Sequence, residues 1–470
     1  MSLRRAGVGL VLALALAGAP GAARAETPAP PRAGAPGAVR LELEEAWRLA
    51  LARSPRIEAA LARVDQAREG AEMAAAPARP QATLGGYREQ IRTLPSAPLA
   101  LTGYTPMPRA PGLLSNALFQ SEPVEYGDSQ VQLEVRQLLF DGGQVAALIA
   151  EARARSGQAE ASLVGTARDL RLELEEAWLA VLEARERAGL AEEAEELSRE
   201  QQRMAEARFQ AGAAARADVV FARVPVARSE LDRVRVAEAT ATTQAALNRL
   251  LGLPLGTALQ LGEPPAPAGP GGTVEEAERE ARERRTEVVG ARAELEAARR
   301  SVEAADAGND PRLYAVGSTN GVAYNEELLP LDFGWRVALE ARWNLFDGNR
   351  SVHEVRQARA RVREAEARLR EVGDGVALEV RQAWLGAETA AQALRTAEVE
   401  VDRAREALAM AQGRYQNGVA VFLEVSQARV DLLEARLRRT TACYDALRAR
   451  ARLDRARGQE PPAAPAPGGA

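Results

Sequence analysis

The stretch Leu-Phe-Asp-Gly occurs at residues 139–142 and again, 206 residues later, at 345–348. Other motifs recur at the same separation, namely Ala-Trp-Leu at 177–179 and 383–385, Arg-Phe-Gln-Ala-Gly at 208–212 with Arg-Tyr-Gln-Asn-Gly at 414–418, and Ala-Arg at 222–223 and 428–429. Since several matches share one constant separation, we infer that one unit is duplicated, with no insertion across this half of it.

Upstream of these motifs the two copies differ in length. Pro80 matches Pro311 at a separation of 231 residues, so the first copy carries 25 additional residues between Pro80 and Leu139. Part of this insertion, residues 93–111, is rich in Pro and Leu, and we interpret it as an enlarged loop.

The sequence divides into six predicted segments. Residues 1–25 have the features of a signal peptide, because Arg4 and Arg5 precede a short apolar stretch and Ala-Arg-Ala at 23–25 forms a cleavage pattern. The remaining predicted segments are a disordered N-terminal segment at 26–38, a first repeat at 39–261, a linker at 262–272, a second repeat at 273–457 and a disordered tail at 458–470.

Each repeat contains one very long predicted helix, at 145–211 in the first copy and 352–417 in the second. A helix of this length extends about 100 Å, which no globular core can enclose, so it must pack along other helices as in a coiled coil. The predicted return helices, at 218–250 and 424–456, are about half as long. Together with a short helix at the start of each repeat, they would make a tube wall of uniform height.

Two strands are predicted ahead of each long helix, at 80–92 and 129–139 and at 311–324 and 334–345. Val131, Leu133 and Val135 alternate with polar residues, which indicates a strand with one apolar face. Such a strand fits a barrel with a wet lumen and a lipid-facing outside, although alternation alone also fits a soluble antiparallel sheet. Because four strands cannot close a barrel and open edges are not tolerated in lipid, a membrane barrel requires further chains. Three chains would supply twelve strands, which suits a channel.

The composition argues against catalysis and against nucleic-acid binding. The net charge is -5, His353 is the single histidine, and no Gly-rich phosphate loop is present. A His-based triad or metal site is therefore nearly excluded, and we predict a protein that is not an enzyme and has no catalytic residues, metal or cofactor. Cys443 is the single cysteine, so no intrachain disulfide can form.

Two kinds of turn carry the candidate functional residues. Asp141 and Gly142, and likewise Asp347 and Gly348, are predicted to turn the chain from strand to helix. Gly212 and Gly418 follow the long helices, where a left-handed C-cap is expected.

We call Gly212 and Gly418, at the ends of the long helices, the tip glycines. An acid lies six residues beyond each of them, Asp218 in the first copy and Glu424 in the second. In a trimer both acids would stand at one level and give a ring of six carboxylates, which favours cations and repels anions. The alternative is that each acid complements the dipole of the helix that it begins. Both interpretations can hold together.

The sequence resembles the TolC-like outer membrane efflux protein family over residues 39–457. The features that carry the resemblance are Leu-x-Leu-Glu-Glu-Ala at 41–46, both Leu-Phe-Asp-Gly turns, Leu-Gly-Leu-Pro at 251–254, and the two tip patterns with their acids. The chain departs from the family at one position. Members with a second tip acid have it three residues after the position of Glu424, where this chain has Gln427.

The resemblance implies an α+β membrane protein that forms a homotrimer. Its 12-stranded β-barrel, with four strands per chain, would continue into a long periplasmic α-helical barrel. It also implies contact with outer-membrane lipid, docking to a periplasmic adaptor (membrane fusion) protein and, through the adaptor, to an inner-membrane pump of the RND or ABC type. Gly212 and Gly418 would lie at the periplasmic tip, which opens and closes.

We therefore expect a passive exit duct of a tripartite efflux or type I secretion system, in the cell outer membrane and extending into the periplasm. The alternative is a soluble periplasmic coiled-coil scaffold or adaptor without a pore.

Overall fold

The computed structural model describes residues 39–93, 124–213, 215–324, 332–417, 419 and 421–459. The predicted signal peptide, the segment at 26–38, nearly all of the enlarged loop, Gly418 and nearly all of the C-terminal tail lie outside these residues.

Each of the two predicted copies of the repeat contains short helices, a pair of strands, a long helix and a return helix. The elements of the first copy are β1 (Val39–Leu41), α1 (Leu43–Arg53), α2 (Pro55–Ala75), β2 (Gln81–Thr93), β3 (Val124–Phe140), α3 (Gln144–Gln210) and α4 (Arg216–Leu250). The first copy ends with β4 (Leu259–Leu261), and the second copy contains α5 (Val274–Arg284), α6 (Thr286–Ala307), β5 (Arg312–Tyr324), β6 (Asp332–Arg342), α7 (Arg350–Gln416) and α8 (Phe422–Arg457).

Some element bounds differ from those expected from sequence. β3 begins at Val124, five residues before the predicted start, because its pairing with β2 continues to Thr93. β6 ends at Arg342 rather than at 345, since the pairing partner of Arg342 is Arg312, the first residue of β5. The helical stretch that opens the first copy is two helices, because Ser54 is extended and Pro55 begins α2 without a backbone N–H.

Four of the strands form one antiparallel sheet in the order β2-β3-β5-β6, so the two copies join through β3 and β5. The short strands β1 and β4 pair with each other in parallel. Its register aligns Leu84, Leu133, Thr319 and Trp335 in one row across the four strands. The adjacent row consists of Thr83, Glu134, Ser318 and Arg336. The side chains of adjacent rows point to opposite faces, so the sheet has one apolar and one polar face. Within the described part of the chain, β2 and β6 each lack a strand partner on the outer side.

The long helices differ in how many neighbours surround them. α3 packs against α2 and α4 of its own copy and also against α6 and α8 of the second copy. α7 packs along α5, α6 and α8, and among the described residues it has no comparable contact with α2 or α4. One side of α7 is therefore open in the single chain.

The main apolar core lies where α1, α3 and α4 meet, around Trp47, Leu174, Trp178 and Leu247. Val380 of α7, the repeat equivalent of Leu174, is equally inaccessible in a second cluster. Within the portion of the chain that the structure describes, no helix combines the length and the apolar character needed to cross a bilayer.

Candidate functional site

The strand-to-helix turns begin both long helices with a capping aspartate. Asp141 follows β3, and its Oδ1 and Oδ2 accept hydrogen bonds from the N–H groups of Gly143 (3.0 Å) and Val145 (2.6 Å). In the second copy, Oδ2 of Asp347 accepts the N–H of Ser351 at 2.9 Å, which lowers the pKa of Asp347. Each carboxylate thus satisfies a backbone donor at the start of a long helix and complements its dipole.

Each turn also needs two successive residues in the left-handed backbone conformation, with positive φ. φ is +67° at Gly142 and +90° at Gly143, and +71° at Gly348 and +67° at Asn349. Gly142 and Gly348 are the predicted turn residues, whereas Gly143 and Asn349 were not identified from the sequence. The signal was present, because Gly and Asn are the residues that most readily adopt this conformation.

Gly142→Ala is expected to destabilise the protein more than its repeat equivalent, Gly348→Ala. A Cβ at position 142 would lie 2.2 Å from Oδ2 of Asp310, whereas a Cβ at position 348 meets nothing within 4 Å. Both substitutions carry the cost of a left-handed alanine, about 1–2 kcal/mol, and Gly142→Ala adds the clash. Thermal unfolding of the two purified variants measures the difference, and equal losses of Tm would contradict this account.

The tip turn of the first copy is a Schellman motif. Gly212 has φ of +72° and donates its N–H to the carbonyl oxygen of Phe209 at 3.0 Å, and the N–H of Ala213 reaches the carbonyl oxygen of Arg208 at 2.8 Å. In the second copy, the N–H of Val419 donates to the carbonyl oxygen of Arg414 at 2.9 Å. Gly418 itself lies outside the described residues.

The two tip acids occupy equivalent positions but have different partners. Oδ2 of Asp218 accepts the N–H of Ala215 at 3.0 Å, so this exposed carboxylate caps its own helix, α4. Oε1 of Glu424 instead accepts a hydrogen bond from Nη1 of Arg414 at 2.7 Å, an ion pair that links α8 to α7 across the turn. Sequence reasoning did not identify this pair, although Arg414 belongs to the tip pattern.

Other contacts at the tip support the same hairpin. The rings of Tyr415 and Phe422 meet edge to face with centroids 5.9 Å apart and join α7 to α8. Nε2 of Gln427 donates to Oδ1 of Asp431 at 2.9 Å along α8. Among the residues with described positions, no group of three or more His, Cys, Asp or Glu side chains is arranged to hold a metal ion.

One protein-family model matches this chain in sequence, and several solved structures match it in fold. The model of a family described as outer membrane efflux protein matches residues 46–253 and 278–459, and therefore both copies of the repeat. No curated protein sequence matches significantly.

Several solved structures share the fold. A membrane protein from Pseudomonas aeruginosa has a TM-score of 0.73 and 22% identity, over 88% of this chain and 93% of that one. The outer membrane protein VceC from Vibrio cholerae has a TM-score of 0.70 and 20% identity, over 88% and 96%. The Campylobacter jejuni CmeC outer membrane channel has a TM-score of 0.71 and 17% identity, over 88% and 85%. The predicted combination of long helices with a few strands, typical of TolC-like channels, is thereby confirmed.

Proposed function

Because this chain belongs to the outer membrane efflux protein family, we propose that it is the exit duct of a tripartite efflux or type I secretion system. Its location is the cell outer membrane, from which it extends into the periplasm. The family consists of efflux channels and is not an enzyme class. In our proposal the chain is a passive conduit that catalyses no step, and the energy comes from an RND or ABC pump that reaches it through a periplasmic adaptor protein.

The observation that carries the proposal is an unequal burial of equivalent residues in the two long helices. Leu179 of α3 is 6% exposed because Tyr444 and Leu447 of α8 cover it. Its repeat equivalent on α7, Leu385, is 51% exposed. The return helix that would cover Leu385 by the same repeat is α4, which packs on α3 in the same chain and, among the described residues, has no comparable contact with α7. A second copy of the chain supplies that α4.

Both helices display apolar residues that suit this contact. The exposed residues of α4 include Val220, Val224, Leu231 and Val234, and those of α7 include Leu378, Leu385 and Val399. Both sets follow the heptad spacing of a coiled-coil seam. Packing α7 of one chain on α4 of the next repeats the internal arrangement and closes a ring.

The sheet supports the same assembly. The free edges of β2 and β6 cannot remain open in lipid, and each can pair with the other edge in a neighbouring chain. Its apolar face carries Trp335 and Val337 of β6, 82% and 76% exposed, as expected for side chains that meet lipid. We propose three chains, a barrel of twelve strands and a ring of helices below it.

The periplasmic tip is the proposed gate. Asp218 and Glu424 are at equivalent positions just beyond the tip turns, so three chains bring six carboxylates to one level. Such a ring attracts cations. Arg414 neutralises part of its charge, because it is paired with Glu424.

Assembly and conduction test the proposal together. Wild-type protein is expected in the outer membrane, to sediment as a trimer and to conduct K⁺ in planar bilayers. Leu385→Asp would bury a carboxylate in each contact between chains, at about 1–3 kcal/mol or more per site, and is expected to yield monomers without conductance. Leu385→Met, a volume-conserving change, serves as the control. A trimeric Leu385→Asp protein would contradict the proposed contact, and wild-type protein recovered solely from the soluble periplasm would favour a scaffold.

A further inference from the structure

The polar face of the sheet carries more positive than negative charge. Among the strand residues whose side chains are described, this face has four arginines and two glutamates, an excess of two positive charges per chain. All six lie toward the end of the sheet that joins the helices, and we call them the base cluster. Its members are Glu134, Arg136, Arg312, Arg336, Glu340 and Arg342. In the proposed barrel this face lines the lumen, so three base clusters would surround the lumen near its periplasmic end.

Both glutamates of the base cluster contact the same arginine, Arg136. Oε2 of Glu340 lies 3.3 Å from its Nη2, and Oε1 of Glu134 lies 3.5 Å from its Nε. The other oxygen of Glu340, Oε1, accepts a hydrogen bond from Nη2 of Arg342 at 2.8 Å. The two acids are therefore engaged by two of the four arginines.

The remaining arginines, Arg312 and Arg336, have no carboxylate partner among the described residues. Nη2 of Arg312 donates to the neutral Oε1 of Gln144, the first residue of α3, at 2.7 Å. The exposed side chain of Arg336 has neither an ion pair nor a hydrogen bond within the part of the chain that the structure describes. A guanidinium that is not paired with a carboxylate can bind an anion from solution through two parallel N–H donors.

A cavity beside Arg312 gives such an anion an enclosed place to bind. It lies between the polar face of the sheet and the start of α3, and its volume is about 280 Å³. The polar side chains in its wall include Arg136, Tyr314 and Gln81 in addition to Arg312. The acid in the wall is Asp141, whose two oxygens already accept backbone hydrogen bonds at the start of α3. The charge of the wall therefore favours a negatively charged ligand.

Arg136 contributes a donor to this wall that the protein itself does not use. Its Nε is buried and has no hydrogen-bond partner among the described residues, because Oε1 of Glu134, at 3.5 Å, lies beyond ordinary hydrogen-bond distance. Buried polar groups are normally paired, so this exception is consistent with a missing ligand. The guanidinium carbon lies 5.2 Å from the centroid of the Tyr314 ring, and this contact helps to hold Arg136 in position.

We propose that the base cluster and its cavity bind anionic groups of the exported substrate, namely carboxylates or phosphates. Arg312 and Arg336 make the principal contacts, and the field of three clusters is concentrated because they line a narrow lumen. Glu134 weakens the binding, which allows the substrate to leave again. The proposed tip ring has the opposite charge, so the two sites act on different groups of a molecule that passes both. This inference rests on the proposed function, because it requires a trimer whose polar sheet face lines the lumen.

Block of the K⁺ current by citrate tests the proposal in planar bilayers with the full-length trimer. Citrate is added on the extracellular side, from which it reaches the barrel before the tip, at about 0.1 M KCl, where charges act over about 10 Å. Arg312→Gln with Arg336→Gln is expected to raise the half-blocking concentration roughly tenfold, because each substitution removes a charged hydrogen-bond donor. Pyrophosphate serves as a second probe, and the more potent of the two identifies the preferred group.

Two further variants separate charge from a general disturbance of the barrel. Arg312→Lys with Arg336→Lys is the matched control, because it keeps both charges, and its half-blocking concentration should stay within about threefold of wild type. Glu134→Gln removes the opposing charge and should lower the half-blocking concentration about threefold. Stronger block cannot result from a misfolded barrel.

The outcomes that overturn the inference are distinct from those that overturn the proposed function. A trimeric, conducting wild-type protein that neither citrate nor pyrophosphate blocks would refute the anion site and leave the duct standing. Unchanged block in the glutamine pair, or an equal loss of block in the lysine pair, would also refute it. A wild-type protein that forms no trimer or does not conduct would instead refute the proposed function, and the inference with it.

Discussion

Replacing Val337 with arginine is expected to remove the protein from the outer membrane. Val337 lies on the apolar face of β6, between the exposed side chains of Trp335 and Leu339. An arginine on the lipid face of a barrel costs about 2–4 kcal/mol at the bilayer midplane, and a trimer carries three of them. The amount of Val337→Arg protein in the outer-membrane fraction should therefore fall roughly tenfold relative to wild type, at equal synthesis.

The neighbouring residue provides a matched control. Ala338 lies on the opposite, polar face of β6, where Arg336 and Glu340 are its neighbours along the strand. Ala338→Arg adds the same charge one residue away and should leave the outer-membrane fraction unchanged. If both variants accumulate normally, the sheet is not in contact with lipid. If both are lost, the charge itself rather than its face is responsible.

The parts of the fold that depend on local pattern could be predicted from sequence. The alternation at Val131, Leu133 and Val135 predicts a strand because side chains in a strand alternate between two faces, and the structure has these residues in β3. The pairing of β3 with β5 joins residues 173 to 196 positions apart, from Phe140 with Leu313 to Asp128 with Tyr324, and has no local signal. The ion pairs between α3 and α8 join residues still farther apart, from 229 to 286 positions. They too have no local signal, because their arginines resemble any other solvated arginine in a helical sequence.

The candidate site shows the same division. The position of each tip acid follows from its distance to the tip glycine, but its partner depends on side-chain reach. Asp218 has a short side chain and bonds the nearby N–H of Ala215. Glu424 is one methylene longer and reaches Arg414, on the other side of the turn. The acids at two equivalent positions therefore have different partners, a backbone N–H for Asp218 and an arginine for Glu424. The sequence positions of the acids alone do not reveal this difference.

Replacing both tip acids is expected to change what the duct conducts. In a trimer, Asp218→Ala with Glu424→Ala removes six carboxylates and leaves Arg414 without its partner. The preference for K⁺ over Cl⁻ should weaken because the negative ring no longer attracts cations. Single-channel conductance should rise about twofold because the smaller alanine side chains widen the constriction. Planar-bilayer recordings with a salt gradient measure both quantities.

Two further variants separate charge from helix capping. Asp218→Asn with Glu424→Gln removes the charge but retains a side-chain oxygen that can accept a hydrogen bond, so its selectivity should match that of the alanine pair while its Tm stays closer to wild type. Arg414→Ala leaves Glu424 unpaired and should strengthen the preference for K⁺. If the alanine pair lowers stability, by about 1 kcal/mol for the cap at Asp218, with unchanged conductance and selectivity, Asp218 caps its helix and neither acid gates the duct. Glu424, held by Arg414, would then serve to fasten the second tip hairpin.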